Sequence, residues 1–122
     1  MSLLERIKEE ERKIHEELVE LSQAIYEHPE LGHQEFEACR LHTELLKKHG
    51  FEVEVGSEGM KTAFHAVYKS SKPGPAFGFM AEYDALPGMG HGCGHNMIGA
   101  ASATAAIALK NTMEKEGLSG TI

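Results

Sequence analysis

The chain has 122 residues, 41% hydrophobic and 25% charged, with a formal net charge of −7 and a pI near 5.6. That length predicts one domain burying roughly two-thirds of its unfolded surface, and the apolar content argues against extended disorder. The acidic balance excludes nucleic acid and anionic membrane, which bind by releasing counterions to a basic surface. No basic-then-apolar leader opens the chain and no run approaches the ~18 apolar residues of a membrane span, so the cytoplasm is the expected location.

Ser2 followed by Glu5 is a capping-box signature, and Leu3, Leu4, Ile7, Ile14, Leu18, Leu21 and Ile25 recur at helical spacings behind it. These residues predict a long amphipathic helix ending before Pro29, with its Glu, Lys and Arg residues as a solvated face. A second helix is predicted from about Glu35 to His49, with Phe36, Cys39, Leu45 and Leu46 inward and Gly50 as its stop. Three strands follow: Phe51 to Val55, Thr62 to Tyr68, and Ala76 to Tyr83, the last expected to be buried on both faces. Met97 to about Glu116 is rich in alanine and predicts a closely packed helix closed by Gly117, and Ser119 to Ile122 reads as the opening of a further strand. The expected class is α/β, with a loop at the carboxyl edge of a sheet between the third strand and the last helix.

That loop carries the chemistry. Between Met80 and Asn96 it sets one thiol, two imidazoles and two carboxylates in a glycine-rich turn. Cys93 and His95 are separated only by Gly94, so both side chains can leave one turn toward one point. A thiolate beside an imidazole suits Zn²⁺ or another late first-row ion, and the start of a helix favours anionic sulfur. Cys93 and His95 are therefore the candidate metal ligands, and Asp84 the residue expected to support the site, as a carboxylate that orients an imidazole. Glu82 is balanced between a site role and a solvated loop, and His91 is more readily a turn residue than a ligand.

His15, His28, His33, His42, His49 and His65 show no converging spacing, and Cys39 reads as a small buried hydrophobe. A Cys39–Cys93 bridge is not favoured in a chain expected to keep its thiols reduced. Catalytic zinc sites usually carry three protein ligands and an open position, so two ligands make half a site. Nothing after Asn96 adds an obvious further ligand, since Glu114 and Glu116 fall at the far end of the last helix.

At these residues the sequence resembles the amidohydrolase branch of the aminoacylase and glutamate-carboxypeptidase family of zinc metallopeptidases. The shared pattern is Asp-Ala-Leu-Pro, here Asp84 to Pro87, followed by His-x-Cys-Gly-His, here His91 to His95. The segment from His28 to Phe36 is similar to the family's N-terminal His-Pro-Glu-Leu-Gly stretch, so the likeness spans most of the chain. It implies a zinc-exopeptidase-like three-layer catalytic domain, helices packed on a mixed sheet, of which residues 1–122 are the N-terminal portion. The lid and dimerisation domain, a downstream Glu-Glu pair acting as general base, and further metal ligands would lie outside these residues. It also implies two divalent ions per intact site, zinc in the first place with manganese, cobalt or nickel as alternatives. A small N-acyl amino acid, aminobenzoyl-glutamate-like conjugate or dipeptide would be the substrate, and the intact protein a homo-oligomer. One departure is Asn96, where many members carry Asp.

Two competing functions follow from the same residues. The chain could be a non-catalytic metal-binding or interaction module, or Cys93 could be a nucleophile served by His95 or His91. The nucleophile ranks last, because a base two residues away is poorly placed to be both oriented and in line.

Overall fold

The computed structural model describes residues 1–122, beginning with a helix α1 at Leu3–Glu27. Its start is the predicted capping box: Ser2 Oγ accepts from the Glu5 backbone N–H at 3.2 Å, and the Ser2 N–H donates to Glu5 Oε2 at 2.7 Å. The buried stripe is Glu10, Ile14, Leu21 and Ile25, whereas Leu3 and Leu4 are exposed. Glu10 is accommodated in that stripe because Lys13 and Lys115 both donate to Oε1.

Helix α2 spans Phe36–Lys48 and has no side-chain cap from its own N-cap residue. The Glu30 carboxylate, seven and eight residues away, instead accepts from the Glu37 and Ala38 N–H groups at 3.0 and 2.8 Å. A carboxylate on these open donors complements the helix dipole and ties the His28–Gly32 turn to α2. Cys39 and Leu46 are buried as expected, but Phe36 is exposed; Ala38, Cys39, His42, Thr43 and Leu46 form the buried face of α2, and Phe36 lies off it.

Strands β1 (Glu52–Val55) and β2 (Phe64–Val67) form a two-stranded antiparallel sheet in which Glu52 faces Val67 and Val55 faces Phe64. The predicted third strand, Ala76 to Tyr83, is not observed as a laddered strand. Its single bridge in the run joins Ala76 to Thr121, and Phe77, Phe79 and Met80 are exposed rather than buried on both faces. An apolar run becomes a strand only where a neighbouring backbone pairs with it, and beyond Phe77 none does. The opening strand expected after Ser119 is present in outline: Thr121 and Ile122 lie between Tyr68–Ser70 and Pro75–Phe77 and bond to both.

Helix α3 runs His95–Glu116 and starts two residues earlier than predicted. It packs along α1, and its small residues allow that approach: Ala100, Ala103, Ala106 and Ala108 are buried with Ile107. Gly117, with φ +65°, stops it in the left-handed region, and the Leu118 N–H closes onto the Met113 carbonyl. Two apolar clusters result. One joins Ile14, Leu46, Phe51, Ala103 and Ile107; the other joins Leu21, Ile25, Cys39, Tyr83 and Ala100 beneath the glycine-rich loop. The architecture is helices with a small sheet, consistent with α/β, and no helix is long and apolar enough to cross a membrane.

Candidate metal centre

The loop between Glu82 and the start of α3 is positioned from below by Tyr83. Its ring is buried against Phe64, stacked at 6.1 Å between centroids, and against His42 at 4.9 Å. Its hydroxyl donates to the Thr62 carbonyl at 2.5 Å. Burial, then the nearby Cys39 thiol, pushes the Tyr83 phenol far above its ordinary range, and burial pushes Cys39 up as well, so both stay protonated. Tyr83 is fixed inward, while the side chains of its neighbours Glu82 and Asp84 remain exposed.

Gly99 sets the distance between this segment and α3. A Cβ there would lie 2.7 Å from the Glu82 carbonyl oxygen and 2.9 Å from His42 Nε2, so only glycine permits the approach. One turn earlier, His95 is brought between the two carboxylates. Its Nδ1 lies 2.7 Å from Asp84 Oδ1 and its Nε2 lies 3.3 Å from Glu82 Oε2. Glu82, balanced at the level of sequence, thus belongs to the same cluster as Asp84 and His95.

Cys93 is exposed, with Gly94 at φ +81° between it and the first residue of α3. Neither cysteine is in a disulfide. His91 is buried and neither ring nitrogen has a partner; burial, then the charge of neighbouring His95, lowers its pKa and favours a neutral ring. Asn96 turns away from the loop, and its amide donates to the Ser22 carbonyl and hydroxyl at 3.3 and 3.1 Å. An aspartate there would have no proton to donate, which gives the amide at this position a physical reason. The remaining histidines do not join the site: His15 pairs with Glu11, His49 with Glu17, and His42 is a core residue bonded to the Ala38 carbonyl.

The donor chemistry suits a cation, although the number of donors is short of a closed site. A neutral imidazole has one N–H; donating it from Nδ1 to Asp84 leaves a lone pair on Nε2 facing the Glu82 carboxylate. Two electron-rich atoms at that separation repel unless a second proton or a cation lies between them, and a carboxylate behind a ligating imidazole is the usual supporting arrangement. No three His, Cys, Asp or Glu side chains converge on one point, however. A cleft of about 320 Å³ opens beside Glu82 and Asp84, bordered by His33, Glu35, Thr62 and Tyr83.

No family model matches the chain. Among characterised proteins it is 34% identical over 110 residues to thermostable carboxypeptidase 1 of Saccharolobus solfataricus, covering 79% of this chain and 28% of that one. It is 38% identical over 115 residues to the Xaa-Arg dipeptidase of Homo sapiens, covering 81% of this chain and 25% of the relative. With a p-aminobenzoyl-glutamate hydrolase of Escherichia coli it shares 32% identity over 120 residues, 84% of this chain and 24% of the relative. The chain spans about a quarter of the length of the curated relatives it matches.

Proposed function

This chain belongs to the aminoacylase and carboxypeptidase family of amidohydrolases, and on that premise we propose that it is the N-terminal portion of the catalytic domain of a metal-dependent amide hydrolase. The intact protein cleaves the amide bond of an N-acyl amino acid, an aminobenzoyl-glutamate-like conjugate or a dipeptide, and residues 1–122 supply part of a dinuclear site and do not turn over substrate alone. The proposal includes the three-layer catalytic domain, a lid domain outside these residues, homo-oligomerisation of the intact protein and a cytoplasmic location. The observation that carries it is His95 held between Asp84 and Glu82 at the first residue of α3, two positions after an exposed thiol.

Cys93 and His95 are the residues proposed to hold metal, with Asp84 as the positioning carboxylate. A divalent ion bound there would supply Lewis acidity and an activated water. The chain's own residues prepare that chemistry. Asp84, 2.7 Å from Nδ1 of His95, is placed to accept that nitrogen's proton, which would fix the tautomer with the Nε2 lone pair toward Glu82. Gly94, at φ +81°, turns the backbone so that Cys93 stands just outside the first turn of α3 and exposed. Glu82 stands on the other side of the ring, within reach of a cation or of a proton on Nε2. The adjoining cleft is large enough for part of a small substrate, and its polar rim of Glu35, Thr62 and His33 excludes a purely apolar ligand.

Calorimetry with Zn²⁺ and hydrolysis of an N-acetyl amino acid in Zn²⁺, Mn²⁺ or Co²⁺ test this division of the site. The isolated chain is expected to bind weakly and give no turnover, whereas the intact protein does both and loses metal and turnover in Cys93→Ala. Tight binding without turnover in both forms would establish a non-catalytic metal module instead.

A further inference from the structure

His42 lies at the centre of the packing that carries the loop and takes no part in the chemistry proposed for it. Its ring is fully buried, with its centroid 4.9 Å from that of Tyr83 and 6.0 Å from that of Phe64. Nδ1 lies 3.0 Å from the Ala38 carbonyl oxygen, and a carbonyl only accepts, so the one proton of the neutral ring sits on Nδ1. Nε2 is left as a buried lone pair without a partner. It stands 2.9 Å from the point a Cβ on Gly99 would occupy, and the Glu82 carbonyl oxygen stands 2.7 Å from the same point. Helix α2, helix α3 and the segment carrying Glu82 and Asp84 therefore meet at one imidazole nitrogen, about one turn of α3 beyond His95.

This fit suits a neutral ring and has no place for a charged one. A second proton would go to Nε2, where no acceptor stands in line, and an uncompensated buried charge costs far more than one lost hydrogen bond. The titratable neighbours are Tyr83 against the ring and Cys39 beside Tyr83, both kept protonated and uncharged by burial. The other elements bring Gly99 from α3, Phe64 from β2, and Leu21 and Ile25 from α1 to this cluster, so no carboxylate offsets the charge. Burial accordingly lowers the His42 pKa, and the backbone of Ala38 and Gly99 opposes it without prevailing. Below the ordinary imidazole value of about 6.5, an opened and hydrated ring binds a proton that the closed ring does not. Closure is thus at full strength above that value and is lost progressively as pH falls toward the lowered value of the closed state.

We propose that His42 is an acid-operated catch: neutral, it holds residues 82–84 against the start of α3, and on taking a proton at Nε2 it leaves this fit and releases the segment, separating His95 from Glu82 and Asp84. The remainder of the fold has reason to stay. The other apolar cluster, with Ile14, Leu46, Phe51, Ala103 and Ile107, contains no histidine, and Glu10 keeps its charge and its two lysines in mild acid. The catch assembles the loop's cluster at neutral pH and dismantles it in acid whatever reaction the loop serves, so the inference holds or fails apart from the hydrolase reading.

Cys39 reports the opening, because it is buried in the same cluster as Tyr83. Its reaction with a pyridyl disulfide, once the exposed Cys93 is consumed, is compared at each pH with that of the urea-unfolded chain, and the ratio of rates measures protection by the closed form. From pH 7.5 to pH 5 this protection is expected to fall about 30-fold, following protonation of the opened ring. It should change little with 1 M urea, since a local opening exposes little surface. In His42→Gln, whose amide does not titrate here, the fall is expected to stay under about 3-fold. Should that variant fail to fold, nuclear magnetic resonance of the parent's ring C–H groups decides: the His42 signal is expected to keep its neutral position until Cys39 loses protection. The proposal is overturned if protection in the parent is flat with pH, or if it depends on urea as steeply as global unfolding. It is also overturned if His42 titrates near pH 6.5 with Cys39 still protected, or if His42→Gln loses protection as steeply, which would assign the release to the other buried imidazole, His91.

Discussion

Replacing Gly99 by alanine sets two physical effects against each other. Alanine is the better helix former by about 1 kcal/mol at a helix interior, so propensity alone predicts a more stable protein. The added methyl, however, would stand 2.7 Å from the Glu82 carbonyl oxygen, 2.9 Å from His42 Nε2 and 3.2 Å from its Cε1. Attractive packing of carbon against heavy atoms begins at roughly 3.5 Å, so α3 or its neighbours must retreat by about half an ångström or more. Neither neighbour yields easily: one is backbone, and the other is a fully buried ring bonded to the Ala38 carbonyl. Overpacking of this kind costs about 3 kcal/mol, leaving a net loss of about 2 kcal/mol after the propensity gain. For a chain of this size that is a fall in Tm of roughly 6–10 °C. Thermal unfolding followed by far-UV circular dichroism measures it, and a Tm equal to or above that of the parent would refute the close approach of α3 to the loop.

In the intact protein Asp84→Asn keeps a hydrogen-bond acceptor for His95 but removes the charge behind the ring, and is expected to weaken cobalt or zinc affinity by about 10–100-fold in calorimetry; unchanged affinity would remove Asp84 from its positioning role. Glu10 is held below the ordinary carboxylate range: burial opposes ionisation, but the hydrogen bonds from Lys115 and Lys13 together outweigh it. Its stabilisation is therefore complete above the unfolded carboxylate pKa and is lost as pH falls through the lowered folded value. Glu10→Gln should cost about 1–3 kcal/mol near pH 7 and flatten the decline in denaturant midpoint below about pH 4.5, and an unaltered acid profile would contradict this. Ile107→Ala, at a site 1% exposed between α1 and α3, should lose about 2–5 kcal/mol by urea titration; a loss under ~1 kcal/mol would mean that the cluster repacks. Of the two free thiols, Cys93 should react with an aromatic disulfide reagent in the native protein and Cys39 only after denaturation. Two fast equivalents would contradict the burial of Cys39.

The helices were legible because each carries its own signals: Ser2 with Glu5 at one end of α1, Pro29 beyond the other, and Gly117 after α3. Glu30 as the cap of α2 was not legible, since its contact is made across a turn whose shape no local pattern states. Glu82 was balanced at the level of sequence because a carboxylate at a strand end serves solvent or a site equally well. The proximity of His95 decided the matter, and that proximity depends on a glycine four residues farther along the helix.

Residue order by itself determined where the helices run, which loop concentrates thiol, imidazole and carboxylate, and which family the chain resembles, because capping, periodicity and motif spacing are properties of neighbours. Tertiary structure alone decided that His95 lies between two carboxylates, that Asn96 serves α1 rather than the loop, and that the predicted third strand pairs only at Ala76 and Phe77 and not over residues 78–83. A strand is completed, and a ring nitrogen given its role, only by the backbone and side chains that pack beside it, and those arrive from distant parts of the chain.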